Sequence, residues 1–266
     1  MSDEISGTPE RVKLIHLLWG VIRHPGETLT TIAERARRSW WLPAVLIVLL
    51  TVVLAVASAP IISRDTREEM RAAQEEMAER MGEELSEEDL ERAQAITASP
   101  LITIVFPAVS GVLGQLVGWV IWAAALYLAS MALGGRSNFG QIFPVTVWSS
   151  FPYTVRSLLQ TIYILSSNQL IENPGLSGLL GEHSSAADLI ASPPGTGEIL
   201  LTGFLSRIDI FLVWHLILLV IAVGAAARLS RRKSILVTLV VWVLLTGLSL
   251  IPSLLAGLFT ASTIAG

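Results

Sequence analysis

Residues 42–63 read LPAVLIVLLTVVLAVASAPIIS, 22 positions from Leu42 to Ser63 without one charged side chain. A helix of about 20 mostly apolar residues is what crosses the hydrocarbon core of a bilayer. The character changes abruptly on either side. Arg35, Arg37, Arg38 and the pair Trp40-Trp41 precede the run, and Arg64 opens a stretch dominated by acids. Basic residues followed by tryptophans at the edge of an apolar run are anchors of a membrane interface. The run therefore reads as a first transmembrane helix.

Four more apolar runs follow. Ala93–Gly135 is longer than one crossing needs, and its part up to Pro107 reads as an interfacial entry; a split there would raise the count from five spans to six. Phe139–Leu165 contains Pro144, Pro152 and one charge, Arg156. The fourth run ends at Ala227 and begins between Ile199 and Ile208. The fifth begins at Ser234 and runs to about Leu255. The 266 residues carry 18 Lys+Arg and 22 Asp+Glu, net −4, with no cysteine. Of these 40 charges, 17 fall between Arg64 and Arg92, so the other 237 residues share 23, too few to coat a soluble fold. That excludes a soluble enzyme, and the absence of a basic surplus excludes a nucleic-acid binder. Without cysteine there is no disulfide framework, thiolate nucleophile or zinc-thiolate site.

The expected fold is all-α, a polytopic bundle of five transmembrane helices. It divides into cytoplasmic or interfacial amphipathic helices (1–41), a first span (42–63), an acidic extracytoplasmic helical arm (64–97) and spans two to five (98–259). An outer Gly/Ser/Pro-rich loop covers 166–198. Lys and Arg in the loops set the orientation. The N-terminal side holds 11 (Arg11, Lys13, Arg23, Arg35, Arg37, Arg38, Arg136, Arg228, Arg231, Arg232, Lys233), the other side six (Arg64, Arg67, Arg71, Arg80, Arg92, Arg207). The N-terminus is expected in the cytoplasm and the C-terminus outside. An acidic start and a first apolar run only at Leu42 predict no cleaved signal peptide.

Ahead of the first span, Thr8 can cap a helix with Pro9 at its opening position. Leu14, Leu17, Leu18, Val21 and Ile22 then make one apolar face, ended by His24-Pro25-Gly26. A second short helix carries Leu29, Ile32, Ala33 and Ala36. The pair reads as lying on the inner leaflet, the alternative being packing on the cytoplasmic ends of the spans. The arm, with 12 acids and five arginines, is helix-favouring; Met70, Ala73, Met77, Met81 and Leu85 form a thin apolar stripe, and Ser86 starts a second helix. It either meets a partner or gathers cations, or is a solvated hairpin.

The chain contains no HExxH, GxSxG, GxxxxGK[ST] or GxGxxG string, and His16, His24, His183 and His215 share no metal-ligand spacing. No catalytic residue, metal or cofactor is expected. Gly111, Gly114 and Gly118 form a smooth strip suited to helix packing, within this chain or against a second copy. Inside the spans only Arg156, Asp209 and His215 ionise. A lone charge at mid-bilayer costs ~2.5–3.5 kcal/mol or more, so each needs a partner or water. Arg156 and Asp209, each nine residues inside its span if the fourth begins near Leu200, are expected to pair. Were that span to begin at Ile208, Asp209 would sit at the interface and need no partner. The pair is either a structural clip or a site for protons or cations.

The order of motifs resembles the Yip (Ypt-interacting protein) domain family, in the form of a bacterial-type multi-pass membrane protein. Gly134-Gly135-Arg136-x-x-Phe139-x-Gln141 is similar to its glycine-rich cytoplasmic turn, and Trp148-Ser149-Ser150-Phe151-Pro152 to the string in its third span. Asp209-x-Phe211-x-x-Trp214, with Gly224 and the basic turn Leu229–Lys233, resembles its fourth span and exit. The resemblance covers nearly all of the chain except the arm and implies five helices with a cytoplasmic N-terminus in a bacterial cell membrane. Eukaryotic members are linked to Rab-type GTPases and vesicle traffic. This chain lacks their Asp-Leu-Tyr-Gly-Pro string, so the resemblance implies a Yip-type membrane protein more than a role in trafficking. The expected function is a non-enzymatic scaffold or adaptor whose partners are the lipid bilayer, other membrane proteins or its own copies, and not nucleic acid. The alternative is a small permease or an accessory subunit of an exporter.

Overall fold

The computed structural model describes residues 14–35, 37–81, 92, 95–97, 99–171, 173–180 and 195–264, and no strand occurs among them. In chain order the helices are α1 (Leu14–Arg23), α2 (Pro25–Glu34), α3 (Trp41–Met81), α4 (Phe106–Ala132), α5 (Phe139–Ser149), α6 (Phe151–Ser167), α7 (Thr196–Leu205), α8 (Ile210–Ala227) and α9 (Arg231–Ile264). A 3-10 turn, Arg37–Trp40, leads into α3, a π turn, Leu101–Val105, runs into α4, and a second 3-10 turn covers Gly175–Leu180.

Four stretches among the described residues are long and apolar enough to cross a membrane: Arg38–Ala72, Leu101–Ala132, Ile210–Ala227 and Arg231–Pro252. Their outward side chains, such as Leu49, Val56, Leu113, Val120, Ile217 and Val243, are exposed leucines, valines and isoleucines. Lipid rather than water suits such a surface. The second stretch continues through Pro107, which sits in the first turn of α4 and does not divide it. α3 does not stop at Ser63. It runs unbroken through Pro60 to Met81, 41 residues or about 60 Å, so the first span and the start of the acidic arm are one helix. The reason is local, because nothing in a run rich in Arg, Glu, Ala and Met ends a helix. The expected second helix from Ser86 lies outside the described residues.

The expected third span differs most. It is two helices, α5 of 11 residues and α6 of 17, meeting at Ser150. α5 starts beside the C-terminus of α8, where the Arg136 N–H donates to the Ala227 carbonyl at 3.0 Å. The chain after α6 lies by the other end, where the Leu176 N–H donates to the Ile208 carbonyl at 3.0 Å. The broken pair therefore runs the length of α8. The same contact shows that the outer loop is partly built: the 3-10 turn at Gly175 lies so close under the Ile208 carbonyl that a Cβ there would fall 2.7 Å from it. α7 begins in the last three residues of the expected loop and occupies the region where the fourth span was expected to start, while His183 lies outside the described residues.

The N-terminal helices are docked. α1 ends at Arg23, and α2 begins at once with Pro25 in its first turn; the cap expected at Thr8 lies outside the described residues. Leu17, Val21, Leu29, Ile32 and Ala33 are buried in the main core with Ile142, Trp148, Leu219 and Val223 of α5 and α8. The apolar face of α2 thus meets spans rather than lipid. α1 has two apolar faces: Ile15, Trp19 and Ile22 point outward, 65%, 59% and 42% exposed. Ile22 belongs to this outer stripe and not to the inner face to which simple periodicity assigns it.

The glycine-rich turn closes α4 by a Schellman motif, with Gly135 N–H on the Ser130 carbonyl at 2.8 Å and Gly134 N–H on Met131 at 2.9 Å. Gly134 has φ +82°, and a Cβ on Gly135 would fall 2.7 Å from the Ser130 carbonyl oxygen, so each glycine is required for its own reason. The Lys233 ammonium donates to the Leu133 carbonyl at 2.7 Å, tying the α8–α9 turn to this one. α8 itself ends on Arg228 at φ 54°, a left-handed conformation that costs an ordinary residue ~1–2 kcal/mol. Arg228→Gly is expected to stabilise the protein by about 0.5–1 kcal/mol and Arg228→Ala not at all, as read by thermal unfolding in detergent.

Candidate functional site

The break between α5 and α6 sets the chemistry of the bundle interior. Proline has no N–H, so Pro152 cannot serve the Trp148 carbonyl four residues back. In an unbroken helix the Ser149 carbonyl would accept from Tyr153. Here the Tyr153 N–H donates to Ser150 at 3.0 Å instead, leaving Ser149 free. Within lipid such a carbonyl needs a donor from elsewhere. His215 on α8 supplies it, with Nδ1 2.7 Å from the Ser149 oxygen. A carbonyl only accepts, so the proton is on Nδ1. The imidazole is 4% exposed, 4.9 Å from the Tyr153 ring and 5.8 Å, edge to face, from Trp122. The Trp119 indole N–H donates to Ser150 Oγ at 3.1 Å, and Trp148 on the other side donates to Ser39 Oγ at 3.0 Å. Three indole and imidazole donors thus fix the break in place.

Arg156 follows Tyr153 by one turn of α6. Its Nε lies 3.2 Å from Asp209 Oδ2, with the side chains 26% and 13% exposed. The expected pairing is present, though not for the depth reason given above. Asp209 is not inside a span helix: it is the N-cap of α8, and its Oδ1 accepts the Leu212 N–H at 2.7 Å. One carboxylate thus caps α8 and holds α6 to its start. Arg207, in the turn between α7 and α8, donates instead to the hydroxyl and, at 3.4 Å, to the carbonyl oxygen of Ser249 on α9.

These groups border a cavity of about 520 Å³ between α4, α6, α8 and α9, lined by Gln115, Tyr153, Arg156, Arg207, His215 and Thr246 among others. The expected glycine strip splits here. A Cβ on Gly111 would meet Thr51 of α3 at 3.0 Å, the close helix approach anticipated for all three. Among the described residues, nothing beyond their own helix lies within 4 Å of such an atom on Gly114 or Gly118; they open onto the cavity. The other family-like residues are spread over the fold. Phe139 stacks on Phe143 at 5.8 Å near the glycine turn, and Trp214 meets Phe151 edge to face at 6.2 Å beside Pro152.

The sequence reading missed Tyr153, Ser149 and Arg207 as parts of one polar site. Trp-Ser-Ser-Phe-Pro held the signal: a proline near the middle of an apolar run orphans carbonyls, and a histidine in a neighbouring run is the donor to look for. Among known proteins, the family model of the Yip1 domain matches residues 19–261. No curated protein and no solved structure matches.

Proposed function

The chain belongs to the Yip1 domain family, and on that footing we propose that this integral membrane protein acts without catalysis, as a scaffold or adaptor for other membrane components. The observation that carries the reading is the two-faced helix α1. One face is locked into the bundle core, while the other presents Ile15, Trp19 and Ile22, with the Arg23 guanidinium 4.9 Å over the Trp19 ring. A rigidly held apolar stripe beside a basic residue suits contact at the membrane surface. Pulldown in mild detergent from the native membrane, followed by mass spectrometry, tests it. A partner that co-purifies with the natural chain and is lost from the triple variant Ile15→Ser, Trp19→Ser, Ile22→Ser supports the reading; identical sets of proteins oppose it.

The second reading, a small permease or exporter subunit, is favoured by the polar cavity. Substrate-dependent flux in sealed liposomes would establish it, and a scaffold shows none.

For topology, counting α5–α6 as a single crossing gives five, with the N-terminus and the basic turns Arg136 and Arg228–Lys233 in the cytoplasm and the C-terminus outside. The lysine-to-carbonyl link between those two turns supports placing them on one side. A C-terminal reporter active only in the cytoplasm should stay silent; activity would make the number of crossings even.

A further inference from the structure

The charges around the cavity do not cancel. Arg156 and Asp209 neutralise each other, and the second oxygen of Asp209 is occupied by the Leu212 N–H. Among the described residues, Arg207 hydrogen-bonds only to the uncharged oxygens of Ser249, and no carboxylate pairs with it. The guanidinium is a cation, so the site carries a whole positive charge. Its level in the membrane follows from α8, whose 18 residues span about 27 Å against a hydrocarbon core of ~30 Å. With the basic turn Arg228–Lys233 at one boundary, Arg207 falls near the other edge of the hydrocarbon core, next to the headgroup layer.

We propose that the cavity binds a phosphate-type anionic group through Arg207. The planar fork of a guanidinium matches phosphate oxygens bidentately. At about 520 Å³ the space falls in the range of small-molecule sites and exceeds what a bare phosphate fills. Trp119, Trp122 and the open floor at Gly114 and Gly118 receive the organic remainder, and Gln115 and Thr246 add polar groups to the wall. The phosphate group can belong to a phospholipid entering from the bilayer or to a soluble phosphate ester entering from the aqueous side. The inference is independent of whether the protein is a scaffold or a permease.

The full chain in mild detergent, tested by native mass spectrometry and thermal unfolding, decides the matter. The probes are phosphatidylglycerol, zwitterionic phosphatidylcholine, glycerol 3-phosphate and inorganic phosphate. Two variants are compared: Arg207→Gln, which removes the charge, and Gly118→Leu, which fills the cavity where no described atom outside its own helix lies within 4 Å of a Cβ. A lipid source is shown by phosphatidylglycerol held at least about tenfold more tightly by the natural chain than by either variant, with phosphatidylcholine weaker. A soluble source is shown if glycerol 3-phosphate or inorganic phosphate raises the unfolding temperature of the natural chain and not of the variants. Gly118→Leu leaves every charge in place, so a loss there does not come from general attraction to basic surfaces. It also decides alone if Arg207→Gln fails to fold. Equal binding by the natural chain and either folded variant, or no binding of any probe by the natural chain, overturns the proposal.

Discussion

Asp209→Ala is expected to cost about 3 kcal/mol of unfolding free energy, the low end of the range for removing one partner of a buried ion pair, because the two side chains keep 26% and 13% of their surface exposed. The structure says why the two partners are unequal. Asp209 pairs with Arg156 and also caps α8, and loss of a cap alone costs ~0.5–2 kcal/mol. Asp209→Asn keeps a capping oxygen and gives up only the charge, so it should fall between Asp209→Ala and the natural chain. Arg156→Gln should be milder still, because the remaining carboxylate faces the positive end of α8 and is favoured there. A coupling of about 0.5–3 kcal/mol is expected between Arg156→Gln and Asp209→Asn in denaturant unfolding. The charge swap Arg156→Asp with Asp209→Arg should recover little, since arginine cannot accept the Leu212 N–H and is repelled by the helix start. Additive singles, or full recovery by the swap, would mean that the ion pair or the cap is not what holds α6 to α8.

The spans were legible because lipid imposes a simple rule: about 20 residues with no charge. The scarcity of ionisable groups within them made Arg156 and Asp209 natural partners. Distances along a helix did not give their level, because a break at Ser206–Asp209 separates α7 from α8 and no periodicity crosses it. Prolines show the limit of local reading most sharply. Pro60, Pro144 and Pro252 lie inside helices that continue, and Pro107 opens one. Among the described residues only Pro152 coincides with a complete break in an apolar run, and the difference lies elsewhere in the sequence. Trp119 and His215 bring donors to Ser150 and Ser149 from two other helices, so the break is satisfied. The same holds for Gly114 and Gly118: their spacing gives a smooth face, but whether a helix or a cavity lies against it depends on where α9 runs. α1 is apolar on two sides, so periodicity alone could not say which one the bundle takes.

The role of His215 gives the other large effect. His215→Leu keeps the volume apolar but leaves the Ser149 carbonyl without a donor, at an expected cost of about 1–3 kcal/mol for a buried unsatisfied group. The cost should depend on Pro152. With Pro152→Ala, residue 152 regains an N–H for the Trp148 carbonyl, and the helix can continue so that Tyr153 serves Ser149. His215 then has no orphan to satisfy. His215→Leu is therefore expected to be strongly destabilising in the natural chain and nearly neutral in the Pro152→Ala background, as measured by unfolding of both pairs in the same detergent. This sign of coupling is particular to a histidine that completes a broken helix. A proton-carrying histidine of the cavity would impair function in both backgrounds and show no such dependence on the proline. Equal losses of stability with and without Pro152 would mean that the imidazole is held by its rings, Trp122 and Tyr153, and that the Ser149 carbonyl finds its donor elsewhere.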